Sequence, residues 1–144
     1  MEQKSLFENF ISFSTNVHRI THELTHECKP DSLTPVQYSI LEIITVSDPM
    51  TLSEISDCLR ISLPNASREV RKLKEKNLIF KKNDLHDKRK QYIQLSKDGK
   101  KLMDAAFRSI EAKFQNLIRG MTQTEMEELG VAMNLVQDRL IDNK

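Results

Sequence analysis

A mainly α-helical fold with one small β-hairpin is predicted by three observations. Apolar residues recur at helical spacing on both sides of a central segment. Within that segment, between residues 78 and 95, the spacing changes to the alternation of strands. Helix-start residues punctuate the chain at Thr34, Thr51, Ser62 and Thr122, each followed closely by Pro or, three positions on, by Glu or Gln.

The first helix is expected from Leu6 to about Cys28. Leu6, Phe7, Phe10, Ile11, Ser14, Val17 and Leu24 fall on one broad stripe. A connector with Pro30 follows, and Thr34-Pro35-Val36-Gln37 opens the second helix. Thr34 caps it, Pro35 takes the first turn, and Gln37 closes a capping box. Val36, Ile40, Leu41 and Ile44 face inward, and Asp48-Pro49 breaks the helix. Thr51 with Glu54 reads as a second capping box, opening a short helix that buries Leu52, Ile55 and Leu59. Cys58 in this helix reads as buried and inert, as most free cysteines are.

A tight turn leads to the segment SLPNASREVRKLKEKN. Ser62 caps the new helix with its hydroxyl, and Pro64 occupies the first turn, where a missing N–H costs nothing. Leu63, Ala66, Val70 and Leu73 form an apolar stripe that faces a core. Pro64, Arg68, Arg71 and Lys72 lie on the far side, flanked by Asn65 and Ser67. Arg suits guanine and phosphate, Asn suits adenine, and Ser reaches either.

Asn77 ends that helix, at a position where a left-handed residue is favoured and Asn tolerates the conformation. Residues 78–83 and 91–95 then read as two strands, with Leu78 and Phe80 on one face and Ile93 and Leu95 on theirs. The loop between them carries Asp87, Lys88, Arg89 and Lys90. A basic hairpin tip fits a minor groove, where focused negative potential attracts Arg. Asp87 would repel phosphate if it stood free, so it is expected to pair with a neighbouring Arg or to cap the turn. Helix, turn, basic helix and hairpin in this order make a winged helix-turn-helix, a device for holding DNA.

Beyond the hairpin a long helix runs from Ser96 or Lys97 to about Arg119, with Leu102, Ala106, Ile110, Phe114 (or Lys113) and Leu117 repeating near every 3.5 residues. Gly120 ends it, and Thr122 with Glu125 forms another capping box. Met126, Leu129, Met133, Val136 and Leu140 then make a coiled-coil-like seam.

Composition narrows the function. The 144 residues are 38 % hydrophobic and 30 % charged, which is globular rather than disordered. There is no apolar run that would span a membrane, and MEQKSLFENF lacks the layout of a secretory signal. Two cysteines, Cys28 and Cys58, make no disulfide framework, so a cytoplasmic setting is expected. The net charge is only +1, but it is unevenly spread: residues 60–101 carry +9 and the remainder −8. A basic block within an acidic chain is the footprint of a DNA contact surface. With three glycines, no phosphate-cradling loop and no nucleophile motif, an enzyme is not expected.

These residues resemble the MarR family of transcriptional regulators. The family's wing carries Asp-x-Arg followed by Leu-[Thr/Ser]-x-x-Gly, matched here by Asp87-Lys88-Arg89 and Leu95-Ser96-Lys97-Asp98-Gly99. The Ser67-Arg68 pair and the Leu73 to Ile79 segment are similar too, and the helix order matches across essentially the whole chain. Two positions depart from the family: Arg60 and Asn77 stand where Gly is common. The resemblance implies a homodimer in which residues 1–33 and 97–144 join two subunits while residues 34–96 form the DNA-binding lobe. Two-fold symmetry then implies a pseudo-palindromic operator with half-sites about one helical turn apart.

The resemblance also frames what such a protein senses. Many relatives bind aromatic acids between the dimer helices and the DNA lobe, which here corresponds to His26 and Tyr38. His18, His22 and His26 are one turn apart on the first helix and could hold a metal ion, two of them more easily than three; a polar or partly buried helix face is the simpler account of a spacing common on helices. No His follows His86, so the second ligand set of zinc-sensing relatives does not carry over. Cys28 is a candidate redox sensor, although it lies at the end of the first helix rather than near its start. The expected protein is thus a homodimeric, sequence-specific repressor that requires no cofactor and is released by a small-molecule, metal or redox signal. The alternative is a winged-helix interaction module that docks an acidic partner without an operator.

Overall fold

The computed structural model describes residues 2–47 and 49–142. In chain order they form α1 (Gln3–Thr25), α2 (Pro35–Val46), β1 (Met50–Thr51), α3 (Leu52–Leu59), α4 (Leu63–Glu75), β2 (Ile79–Asn83), β3 (Gln91–Leu95), α5 (Lys97–Leu117) and α6 (Gln123–Leu140). Two compact units result, residues 1–110 and residues 111–144. Asp48, half of the expected Asp48-Pro49 break, lies outside the described residues; α2 ends at Val46.

Caps define most helix starts. Thr34 Oγ1 accepts from the Gln37 N–H at 3.2 Å while Gln37 Oε1 accepts from the Thr34 N–H at 3.2 Å. The same reciprocal box joins Thr122 and Glu125. At Thr51 only half of the expected box forms: its hydroxyl caps Glu54, with no return bond among the described contacts. The backbone of Thr51 is instead engaged in β1, a two-residue strand paired antiparallel to β3 at Met50–Ile93 and Thr51–Tyr92. So short a strand leaves no alternation to read in sequence.

The sheet has the order β1-β3-β2, with β2 and β3 forming the hairpin. Ile79 pairs with Leu95 and Lys81 with Ile93, so Ile79 and Ile93 share the core face at 2 % exposure each. Phe80 is on the other face and is 41 % exposed, so the face expected to carry Leu78 and Phe80 is not the one that packs on the core. Leu78 precedes the strand and only partly packs on the core, so the strand begins one residue later than expected.

The core of the first unit is built by α2, α3, α4 and the sheet. Ile40, Leu41, Ile55, Val70, Leu73 and Met103 are at most 1 % exposed. Met103 and Ala106 bring the first half of α5 into this core. Among the described residues three non-glycine residues are left-handed: Glu27 in the α1–α2 connection, with φ 66°, and the two that flank α4. Arg60 has φ 54° and Asn77 has φ 60°, so both positions where the family often has Gly keep the backbone Gly favours. At Asn77 the Leu78 N–H reaches the Leu73 carbonyl at 3.1 Å and the Asn77 N–H reaches Lys74 at 2.9 Å, the six-to-one and five-to-two bonds of a Schellman motif. Asn77 Nδ2 also donates to Asp98 at 2.9 Å, an anchor glycine could not supply.

The Leu-Ser-x-x-Gly segment closes the base of the wing. Ser96 Oγ donates to the Asn77 carbonyl at 2.6 Å and accepts from the Gly99 N–H at 3.0 Å. A Cβ on Gly99 would overlap the Leu78 carbonyl oxygen and stand 2.9 Å from its carbonyl carbon. Glycine is required there by close backbone approach. In the second unit α6 has no buried residue; Leu129, Met133 and Leu140 of its seam are 38–49 % exposed.

Candidate nucleic-acid interface

The fourth helix presents two chemistries on opposite sides. Ala66, Val70 and Leu73 are at most 1 % exposed and fix the helix to the lobe. Pro64, Ser67, Arg68, Arg71 and Lys72 are exposed, as expected. Ser62 caps the helix by accepting from the Asn65 N–H at 3.2 Å. Leu63 is the exception: placed by spacing in the core stripe, it is 47 % exposed. The core reaches α4 only from Ala66 onward, so Leu63 at the helix start lies beyond it.

The basic side chains are ordered by acceptors on the same helix. Arg68 Nη2 donates to Asn65 Oδ1 at 2.8 Å, and its Nε lies 3.9 Å from Glu69 Oε1. Lys72 Nζ reaches the same Glu69 oxygen at 3.4 Å. Glu69 is itself held by Gln37 Nε2 at 3.1 Å. Gln37 is 3 % exposed, and its Oε1 also accepts from Lys76 Nζ at 3.1 Å. This polar connection from α2 to α4 was invisible in the sequence. The capping-box spacing identified Gln37 only as a local residue, and the separation from Glu69 carries no periodic signal.

The wing tip is a compact turn. The Asp84 N–H donates to the Lys90 carbonyl and the Lys90 N–H to the Asp87 carbonyl, each at 3.0 Å. Asp87 Oδ1 accepts from the Arg89 N–H at 3.0 Å and from Arg89 Nε at 3.2 Å. Asp87 thus both caps the turn and pairs with Arg89. The Arg89 backbone N–H, and after it the guanidinium, hold the Asp87 carboxyl below its usual range. The Arg89 side chain remains 92 % exposed, with Lys88 and Lys90 exposed beside it.

His26 and Tyr38 line one cavity of about 410 Å³, together with Thr21, His22, Pro35 and Glu42. Tyr38 is 8 % exposed, and its buried hydroxyl has no partner in hydrogen-bonding geometry. Burial, with the nearby Glu42 carboxylate adding to it, pushes its pKa up to about 12. The His22 and His26 rings lie 6.2 Å apart. Among the described residues no three His, Cys, Asp or Glu side chains are grouped to hold a metal, so the structure does not gather His18, His22 and His26 into one site. Cys28 is half-buried, its thiol 3.5 Å from the Leu24 carbonyl. Cys58 is exposed rather than buried, one turn along α3 from the exposed Glu54.

Fold and surface together define a winged helix-turn-helix regulator. A sequence model of the MarR family matches residues 31–90. An uncharacterized HTH-type transcriptional regulator of Staphylococcus aureus strain Mu50 is 30 % identical over 107 residues, covering 73 % of each chain. Staphylococcus aureus MarR in complex with salicylate and kanamycin is 26 % identical, with a TM-score of 0.69 over 97 % of this chain and 95 % of that one. A mutant of S. aureus MepR, bound to an oligodeoxyribonucleotide, is 22 % identical, with a TM-score of 0.58 over 97 % and 99 %. The chain belongs to the MarR family, whose members are DNA-binding regulators of transcription. Among the described residues no helix is long and apolar enough to cross a membrane.

Proposed function

We propose that the chain is a homodimeric repressor that binds a pseudo-palindromic operator and is released by a small molecule. The observation that carries this reading is the two-sided α4. Its buried stripe anchors it, and its exposed side offers Arg68, Arg71 and Lys72 beside a wing tipped by Arg89. Arg68 and Lys72 supply base and phosphate contacts, and Arg89 supplies minor-groove anchoring. The dimer is supported by α1, whose Leu6, Phe7, Phe10 and Ile11 are 43–62 % exposed along one side. The cavity at His26 and Tyr38 supports a small-molecule signal, and the S. aureus relative bound to salicylate and kanamycin supports that choice. Ligand there would favour a lobe spacing that no longer matches the half-sites.

Fluorescence anisotropy of the full chain on its own upstream DNA and on a scrambled duplex, across a salt series, tests this. A preference of about 10³ or more with a steep salt slope is expected. Equal, weak and salt-labile binding to both duplexes would overturn it.

A further inference from the structure

The exposed Leu63 identifies a reading contact. It is the first residue of α4, next to exposed Pro64, so the leading edge of the helix is apolar. Pro64 leads to exposed Arg68, Arg71 and Lys72 one and two turns on, while Leu63 stands at the edge between that face and buried Ala66 and Val70, one turn before exposed Ser67. Two polar acceptors beside Leu63 and Pro64 are already engaged: the Ser62 hydroxyl accepts from the Asn65 N–H, and Asn65 Oδ1 accepts from Arg68, while the Ser62 O–H and Asn65 Nδ2 stay as donors. Leu63 and Pro64 offer no side-chain donor or acceptor, so neither can bind phosphate or a hydrogen-bonding base edge.

In a helix-turn-helix, residues at the N-terminal end of the second helix meet base edges in the major groove. The apolar group exposed there is the C5-methyl of thymine. We propose that Leu63 is a specificity-determining residue that packs on a thymine methyl in each half-site, with Pro64 alongside. This rests on the reading of α4 as the DNA-facing helix. Burying one methyl against an apolar side chain gives about a fourfold preference for thymine over deoxyuridine, and on the order of tenfold when both half-sites are changed.

The test begins with the duplex that the full chain enriches from a randomised pool. Each thymine is then replaced in turn by deoxyuridine, which removes one methyl and leaves every hydrogen-bonding group in place. Wild type is expected to lose about fourfold at one thymine per half-site. Leu63→Ala is expected to bind thymine and deoxyuridine duplexes equally, and Leu63→Met to keep the preference. A general effect of Ala on folding would weaken both duplexes alike and leave their ratio intact. An enriched duplex with no methyl-dependent thymine, or a methyl dependence that survives in Leu63→Ala, overturns the proposal. Failure to enrich any sequence overturns the DNA-facing reading of α4 itself, and this inference with it.

Discussion

Helices α1 and α4 are both amphipathic, but they differ in what covers the apolar side. In α4, 13 residues long, Ala66, Val70 and Leu73 are closed off by α2, α3 and β2 of the same chain. In α1, 23 residues long, no residue is buried, and Phe7 and Leu6 are 62 % and 56 % exposed. Apolar spacing identifies a face that must be covered; it does not say by what. For α4 the cover is local. For α1 the proposed cover is a second copy, because single-chain exposure of so many large side chains exceeds what a solvated helix needs.

Truncations on the two helices separate these cases and give the largest expected effect. Leu73→Ala should cost about 2–5 kcal/mol of lobe stability at any protein concentration. Phe10→Ala should leave dilute, monomeric protein within about 0.5 kcal/mol of wild type. It should abolish the rise of the unfolding midpoint with protein concentration that a dimer shows. Denaturation at two widely separated concentrations checks both. A concentration-independent loss for Phe10→Ala as large as that for Leu73→Ala would break the comparison, since α1 would then be covered within its own chain.

The two regions should also part in DNA binding. Arg89→Ala should weaken operator binding by about 1–3 kcal/mol and leave the sedimentation of the protein unchanged. An unchanged affinity at matched salt would remove Arg89 from the interface. Asp87→Ala sharpens the point, with a smaller effect. Simple charge counting predicts tighter binding once a carboxylate is removed. The structure predicts binding roughly threefold weaker, because Asp87 orders the Arg89 backbone and guanidinium before DNA arrives. The Asp87 carboxyl is held below its ordinary value of 3.8, so its ordering of the wing is present above that pH and is lost as pH falls further. Anisotropy with Asp87→Ala at neutral pH decides the sign.

Much of this architecture was legible because it is local. Capping at Thr34, Ser62 and Thr122 was readable from spacing, as was the change of period after Asn77, since each depends on residues within one turn. The role of Asp87 was also readable, as an acid two residues from an Arg in a tight turn has few other partners. Long-range features left no trace. Gln37 and Glu69 meet across 32 positions, and β1 is too short for a period. Leu63 was misread because its angular position matches that of Val70; where the core stops along the helix axis is set by neighbouring elements. The alternation of Leu78 and Phe80 did not say which face of β2 was covered, and it is Ile79, on the other face, that is buried. Cys58 was misjudged on residue-type preference alone.

The comparison is least sharp at the C-terminal end of α1, where Leu24 and Thr25 are half-buried and the helix meets α2 around the cavity at Tyr38. Here a small effect is informative. The Tyr38 hydroxyl is buried beside the Glu42 carboxylate, so Tyr38→Phe removes a desolvated polar group at almost constant volume and should change stability at neutral pH by no more than about 1 kcal/mol. The pH dependence fixes the cause. With a folded pKa near 12 against an ordinary 10.0, the unfolded chain releases this proton first as pH rises. Wild type therefore keeps the full contribution below pH 10.0 and loses it as pH climbs toward about 12. Tyr38→Phe should lack that component, so the stability difference between the two proteins should move in favour of Phe across this window. A difference that stays flat from neutral pH into the window would mean that the hydroxyl is solvated in the folded protein. The end of α1 would then be as open as the rest of the helix.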